Sequence, residues 1–210
     1  MTATAAAEAT APPIPPPEPE TTADNSRPRR WTVEEFFRAA RLGLFRPDER
    51  LELLSGEIIE KMTQNPPHAV ALNKSIPVFS RVIAGQDCHL RVQAPLALSD
   101  DSAPEPDIAV IAGSPDNYAT KHPAPGDVLL LVEISDATLH LDRRRKAALY
   151  AAAGINEYWI LNLIDRRLEV HRDPSNGAYQ VITLLGETQT ISPLAAPQAT
   201  LRVADLLPAP

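Results

Sequence analysis

Between Glu105 and Tyr150 the chain changes its polarity pattern three times. Glu105-Pro106-Asp107 opens a short apolar run to Ile111. Val128-Leu129-Leu130-Leu131-Val132-Glu133-Ile134-Ser135 is then aliphatic at odd and even positions alike, and Asp142 to Tyr150 mixes charge with alanine, leucine and tyrosine ahead of Gly154. The first two runs predict strands, and the second has the composition of a strand buried on both faces of a sheet. The third predicts a helix that Gly154 stops.

The same reading extends along the chain. Thr32-Val33-Glu34-Glu35 is a capping box that starts a helix through Phe36, Phe37, Ala40 and Arg41, ending near Gly43. Leu51 to Leu54, the turn Ser55-Gly56, and Glu57 to Met62 predict a β-hairpin. Pro66-Pro67 ends it, and His68 to Ala84 has helical spacing that Pro77 is expected to kink or split. His89 to Leu98 alternates as a strand, with Ser99 to Ser102 as its turn, and Gly113 to Gly126 reads as a long polar loop. Glu157 to Asn162 pairs with Arg167 to Arg172, Tyr179 to Leu185 adds a strand, and Val203 to Leu207 closes the domain as a short helix. This order predicts an α/β (α+β) architecture with a mixed central sheet flanked by helices. Residues 1–29 are rich in alanine and proline and predict a disordered, extended tail, which leaves 30–210 as the folded domain.

Candidate chemistry gathers at the two central strands. A carboxylate at Glu133, ending an apolar strand, loses its hydration and needs a cation beside it. Asp107, on a strand expected alongside, adds a second carboxylate, and such a pair calls for a divalent metal or a lysine between its members. In the predicted helix Lys146 and Tyr150 are four residues apart and share a face with Asp142, so an ammonium and a phenol can point back at the strand ends, where Tyr150 is a candidate substrate contact. Two carboxylates, a lysine and Mg2+ or Mn2+ are the parts of metal-assisted phosphodiester hydrolysis. Glu52, on the hairpin, is a third acid, read either as an exposed edge residue or as an aid to the metal or water. His68, at a helix start, is either a cap or a substrate contact, and Arg143 to Arg145 are either a solvated face or a phosphate clamp.

Pro106-Asp107, Glu133-Ile134-Ser135 and the helix from Asp142 to Tyr150 resemble the Uma2 family, within the PD-(D/E)XK nuclease-like superfamily. Leu51-Glu52-Leu53, Gly56-Glu57-Ile58-Ile59 and Ala153 to Trp159 extend the resemblance over roughly Trp31 to Leu207. It implies a restriction-endonuclease-like fold and a metal-dependent endonuclease acting on DNA. Asp107 and Glu133 would be the metal ligands, and Asp107, Glu133, Lys146 and Glu52 the catalytic set. The superfamily usually keeps its lysine two residues after the glutamate. Ser135 stands there, and the resemblance implies that Lys146 has taken over. Ser55 and Asp136 depart from the family pattern, which commonly has an aspartate and a proline at those places.

Composition limits the alternatives. A formal net charge of −7 excludes a generic nucleic-acid coat, which would carry a basic excess. A local patch of Arg143 to Lys146 with Arg166, Arg167 and Arg172 is the expected counterweight. No run approaches the ~18 apolar residues of a membrane helix, and the first thirty residues lack a basic start followed by an apolar block, so a cytoplasmic protein is expected. The single cysteine, Cys88, excludes an intramolecular disulfide and reads as core. Serine-hydrolase, phosphate-loop, dinucleotide and zinc-protease motifs are missing. DNA is the expected partner, with RNA as a second possibility, and cutting both strands of a duplex would call for a homodimer. The rival reading is an inactive nucleic-acid- or protein-binding module in which Glu133 and Lys146 are only a buried ion pair.

Overall fold

The computed structural model describes residues 27–209, so most of the expected N-terminal tail, residues 1–26, lies outside the described residues. Helix α1 (Val33–Arg41) begins with the expected capping box: the Thr32 hydroxyl accepts from the Glu35 amide and the Glu35 carboxylate accepts from the Thr32 amide. Strands β1 (Leu51–Leu54) and β2 (Glu57–Glu60) form the hairpin in the expected register, Leu54 opposite Glu57. Its two-residue turn has positive φ at both Ser55 and Gly56, the mirror-image turn that matches strand twist.

Helix α2 runs unbroken over Pro66–Val82, which corrects two expectations. Pro66 and Pro67 open the helix, where a missing N–H costs nothing, and Asn65 caps it by accepting from the His68 amide. Pro77 does not split it. Ala71, Leu72, Val78, Phe79 and Val82 are buried, and their packing outweighs one lost backbone bond. Strand β3 (Cys88–Val92) is shorter than expected, because Gln93 adopts a left-handed backbone (φ 47°).

The main sheet has six strands in the order β3, β4 (Ile108–Ala112), β5 (Val128–Ser135), β6 (Glu157–Asn162), β7 (Arg167–Ser175) and β8 (Ala178–Gly186). Neighbours are antiparallel except β5 and β6. That parallel pair requires a crossover. It is supplied by α3 (Leu139–Leu141), a π turn over Asp142–Lys146 and α4 (Ala147–Ala152), with Gly154 (φ 75°) as the stop. Thr190–Ile191 and Leu201–Arg202 pair as β9 and β10, and a 3-10 turn at Val203–Asp205 replaces the expected final helix.

The central strands β4, β5 and β6 are buried on both faces, as the aliphatic run in β5 requires, while the edge strand β8 is largely exposed. One face, with Leu130, Val132, Ile134, Trp159 and Val170, packs on α2, with half-buried Cys88 against it. The other, with Ala109, Ile111, Leu131, Tyr158 and Ile160, packs on α4. A third, smaller cluster joins α1 to the hairpin through Phe36 and Leu53. Among the described residues no helix is long and apolar enough to cross a membrane.

Candidate active site

Alternation along β4 and β5 decides which side chains meet. Ile108 pairs with Val132, so Asp107, just ahead of β4, comes opposite Glu133, and Glu133 projects on the side of the sheet where Lys146 and Tyr150 reach it. Asp107 Oδ2 accepts from the Ile134 amide at 2.9 Å and from His68 Nε2 at 3.1 Å, and Oδ1 accepts from the Gln93 amide group at 3.0 Å. Burial raises its proton affinity, but the His68 hydrogen bond and charge, helped by Lys61 and Gln93, overcome this and hold the carboxyl well below the usual range.

Glu133 has a different environment. Its Oε1 accepts from Lys146 Nζ at 3.0 Å and from the Tyr150 hydroxyl at 2.8 Å. Burial pushes its carboxyl upward by more than the Lys146 ammonium pulls it down. Lys146 also lies 3.1 Å from Glu52 Oε2, which accepts from the Glu105 amide as well. Burial opposes its charge, yet Glu133 and Glu52 together raise Lys146 well above the ordinary range, so it stays an ammonium. Glu52 is 1% exposed, which overturns the exposed-edge alternative: the hairpin delivers it to the lysine on the crossover.

The wide turn at Asp142–Lys146 buries both of its end residues. Asp142 Oδ2 accepts from the Ser135 hydroxyl at 2.6 Å and from Thr138 Oγ1 at 2.7 Å. Ser135, two residues after Glu133, thus tethers the start of the helix that carries Lys146. Two expected substrate contacts are corrected. Tyr150 is fully buried and supports Glu133. Arg143 is tied to Glu169 at 2.9 and 2.5 Å and is absent from the cleft lining. Most of the expected basic patch is also engaged: Arg145 pairs with Glu57, Arg166 with Glu187, Arg167 with Asp165 and Arg172 with Glu157, while Arg144 is exposed without an ion pair among the described residues.

Glu52, His68, Asp107, Glu133, Asp142 and Lys146 line one cleft of about 400 Å³. Among the described residues no group of three or more His, Cys, Asp or Glu is placed to hold a metal ion. Magnesium is often bound through only one or two carboxylates and keeps several waters. The buried carboxyls of Glu52, Asp107, Glu133 and Asp142 share the cleft with Lys146 and with Lys61 and Arg50, which also pair with Glu105, and Glu133 Oε2 takes no hydrogen bond among the described residues. Hard oxygen donors are the ligands that a hydrated magnesium or manganese ion takes, and Asp107 and Glu133 are the carboxylates that would hold one. Gln93 and Asp142 escaped the sequence reading as parts of this site. Nothing in the local pattern marks a glutamine beyond a strand end, whereas Asp142 was visible on the lysine's own helix.

Comparison with known proteins agrees with this architecture. A search of curated proteins gives no match. Among solved structures, the chain is similar to a "putative nuclease belonging to DUF820" from Anabaena variabilis ATCC 29413, with a TM-score of 0.64 and 18% identity over 84% of this chain and 97% of that one. That similarity shows a shared fold. The sequence profile of Uma2, described as "Putative restriction endonuclease", matches residues 33–204, a span that holds the hairpin, both central strands and the lysine-bearing crossover, and the chain therefore belongs to the Uma2 family.

Proposed function

We propose that this protein is a nuclease that hydrolyses phosphodiester bonds of DNA with magnesium or manganese. The observation that carries the reading is the placement of Asp107 and Glu133 on adjoining strands, lining one cleft, with the Lys146 ammonium between Glu133 and Glu52. A metal ion held by Asp107 and Glu133 would supply Lewis-acid activation of water and of the phosphoryl group. Asp107, locked by Ile134, His68 and Gln93, offers an ionised oxygen in a fixed direction. Lys146, held protonated, acts by charge and orientation on the phosphate oxygens rather than as a base. Tyr150 holds Glu133 in place. Incubating the purified protein with DNA and magnesium or manganese tests the reading. Cleavage that disappears in Asp107→Ala and Lys146→Ala supports it, and full cleavage by either variant removes the assigned roles.

A second reading is favoured by the burial of Lys146 at 3% exposure between two carboxylates, a geometry that an inactive binding module would also keep as a structural ion pair. Metal titration by calorimetry separates the two. Heat that Asp107→Asn abolishes belongs to the nuclease, and silence from a folded wild-type protein belongs to the module.

A further inference from the structure

The catalytic candidates are recessed. Asp107 is 4% exposed, and Glu133 and Lys146 are each 3% exposed, so a phosphodiester meets them only by entering the cleft. The segment from Lys61 to Asn65, between β2 and α2, lines this cleft, and the Asn65 amide group donates across it to the Asp136 carboxylate in the loop after β5. One side is therefore laced to the other. A duplex carries its phosphates on a stiff cylinder, whereas an unpaired strand can be drawn into a recess.

The lining suits the face of a base better than the outside of a duplex. Ile59, Met62 and Leu141 form an apolar wall, and Met62 is 70% exposed with no core to fill. A thioether side chain adapts to flat aromatic surfaces, and stacking is the sequence-tolerant way to hold single strands. Gln64 lines the same cleft with its Nε2 buried and without a partner. An amide donor left unpaired costs free energy until an acceptor arrives, and base-edge or phosphate oxygens are such acceptors. Outside the cleft, Arg143, Arg145, Arg166 and Arg172 are engaged by Glu169, Glu57, Glu187 and Glu157, Arg144 alone of its turn is exposed without an ion pair among the described residues, and the chain carries a formal charge of −7. Duplex binding draws its affinity from phosphate neutralisation, which an acidic chain with these arginines paired to glutamates supplies poorly.

We propose, on the basis of the nuclease reading above, that the substrate is unpaired DNA: a single strand threads beneath the Lys61 to Asn65 segment, with one base against Met62 and Gln64 donating to it. Fluorescence anisotropy with a labelled oligonucleotide, single-stranded or annealed to its complement, tests this in calcium, and cleavage of the same two probes is followed in magnesium and manganese. The expected result is single-strand binding tighter than duplex binding by on the order of tenfold, with Met62→Ala and Gln64→Ala each weakening it several-fold. Both residues lie outside the core, and circular dichroism checks that each variant folds. Equal or tighter duplex binding overturns the inference, as does single-strand binding that neither substitution changes. Duplex cleavage as fast as single-strand cleavage overturns it while leaving the nuclease intact. Single-strand binding without cleavage keeps the threading and removes the hydrolysis, and neither binding nor cleavage removes both.

Discussion

Ser135 donates its hydroxyl to Asp142 at 2.6 Å, joining the last residue of β5 to the first residue of the turn that carries Lys146. Strand and crossover are thereby fixed to each other at the point where their charged groups must meet. Ser135→Ala leaves the buried Asp142 with Thr138 as its remaining side-chain donor. A loss of about 2 kcal/mol, the usual size for a hydrogen bond to a charged group, is expected in urea denaturation. Cleavage should fall with it if this tether positions the lysine.

Lys146→Met removes the ammonium that Glu133 and Glu52 share. Buried carboxylates without a partner should cost roughly 3–5 kcal/mol at neutral pH, by chemical denaturation. Adding Glu133→Gln to the same chain should recover part of that loss, because one of the two uncompensated charges is gone. If Lys146→Met alone were as stable as the wild type, the ion pair would have no structural weight.

Arg143→Ala is expected to leave the cleavage rate and oligonucleotide affinity unchanged. The guanidinium is engaged by Glu169 and does not line the cleft. The change should lower stability by about 1–2 kcal/mol, since Glu169 keeps Asn162 and Arg167 but loses its two-pronged partner. A drop in affinity with unchanged stability would return Arg143 to the substrate surface.

His171, on β7, is 4% exposed and packs against Tyr158 and Tyr179. Burial holds its imidazole below the ordinary range, against the opposing pull of Glu169. In the unfolded chain it takes a proton near pH 6.5. Its contribution to stability is therefore full above that value and is lost as pH falls toward the lower folded pKa. Compared with His171→Leu, the wild type should lose more stability between pH 8 and pH 5, as read from urea midpoints in both proteins. Parallel pH curves would show that the histidine is not held neutral.

The contacts that were legible in the sequence are those set by periodicity. The aliphatic run of β5 could only be a doubly covered strand. The i, i+4 spacing of Lys146 and Tyr150 brought both to one partner, Glu133. Contacts that depend on distant packing were not legible. Glu52 sits on a hairpin whose pattern looks half-exposed, and only docking against the crossover buries it. Pro77 carries a strong local signal for a break, which the apolar stripe of α2 overrides. Gln93 reaches Asp107 because its backbone turns left-handed, which a glutamine does not advertise.

The single parallel pair in the sheet also bears on folding. The contact between Glu133 and Lys146 spans only 13 positions, because the crossover returns directly over the strand it leaves. Closing so short a loop costs little chain entropy, whereas bringing Glu52 to the same ammonium requires distant segments to meet. The β5 to β6 unit is thus expected to assemble first and the hairpin to dock onto a partner already charged and waiting. In kinetic measurements, substitutions at Leu131 or Ile160 should slow folding, and substitutions at Leu53 should mainly hasten unfolding.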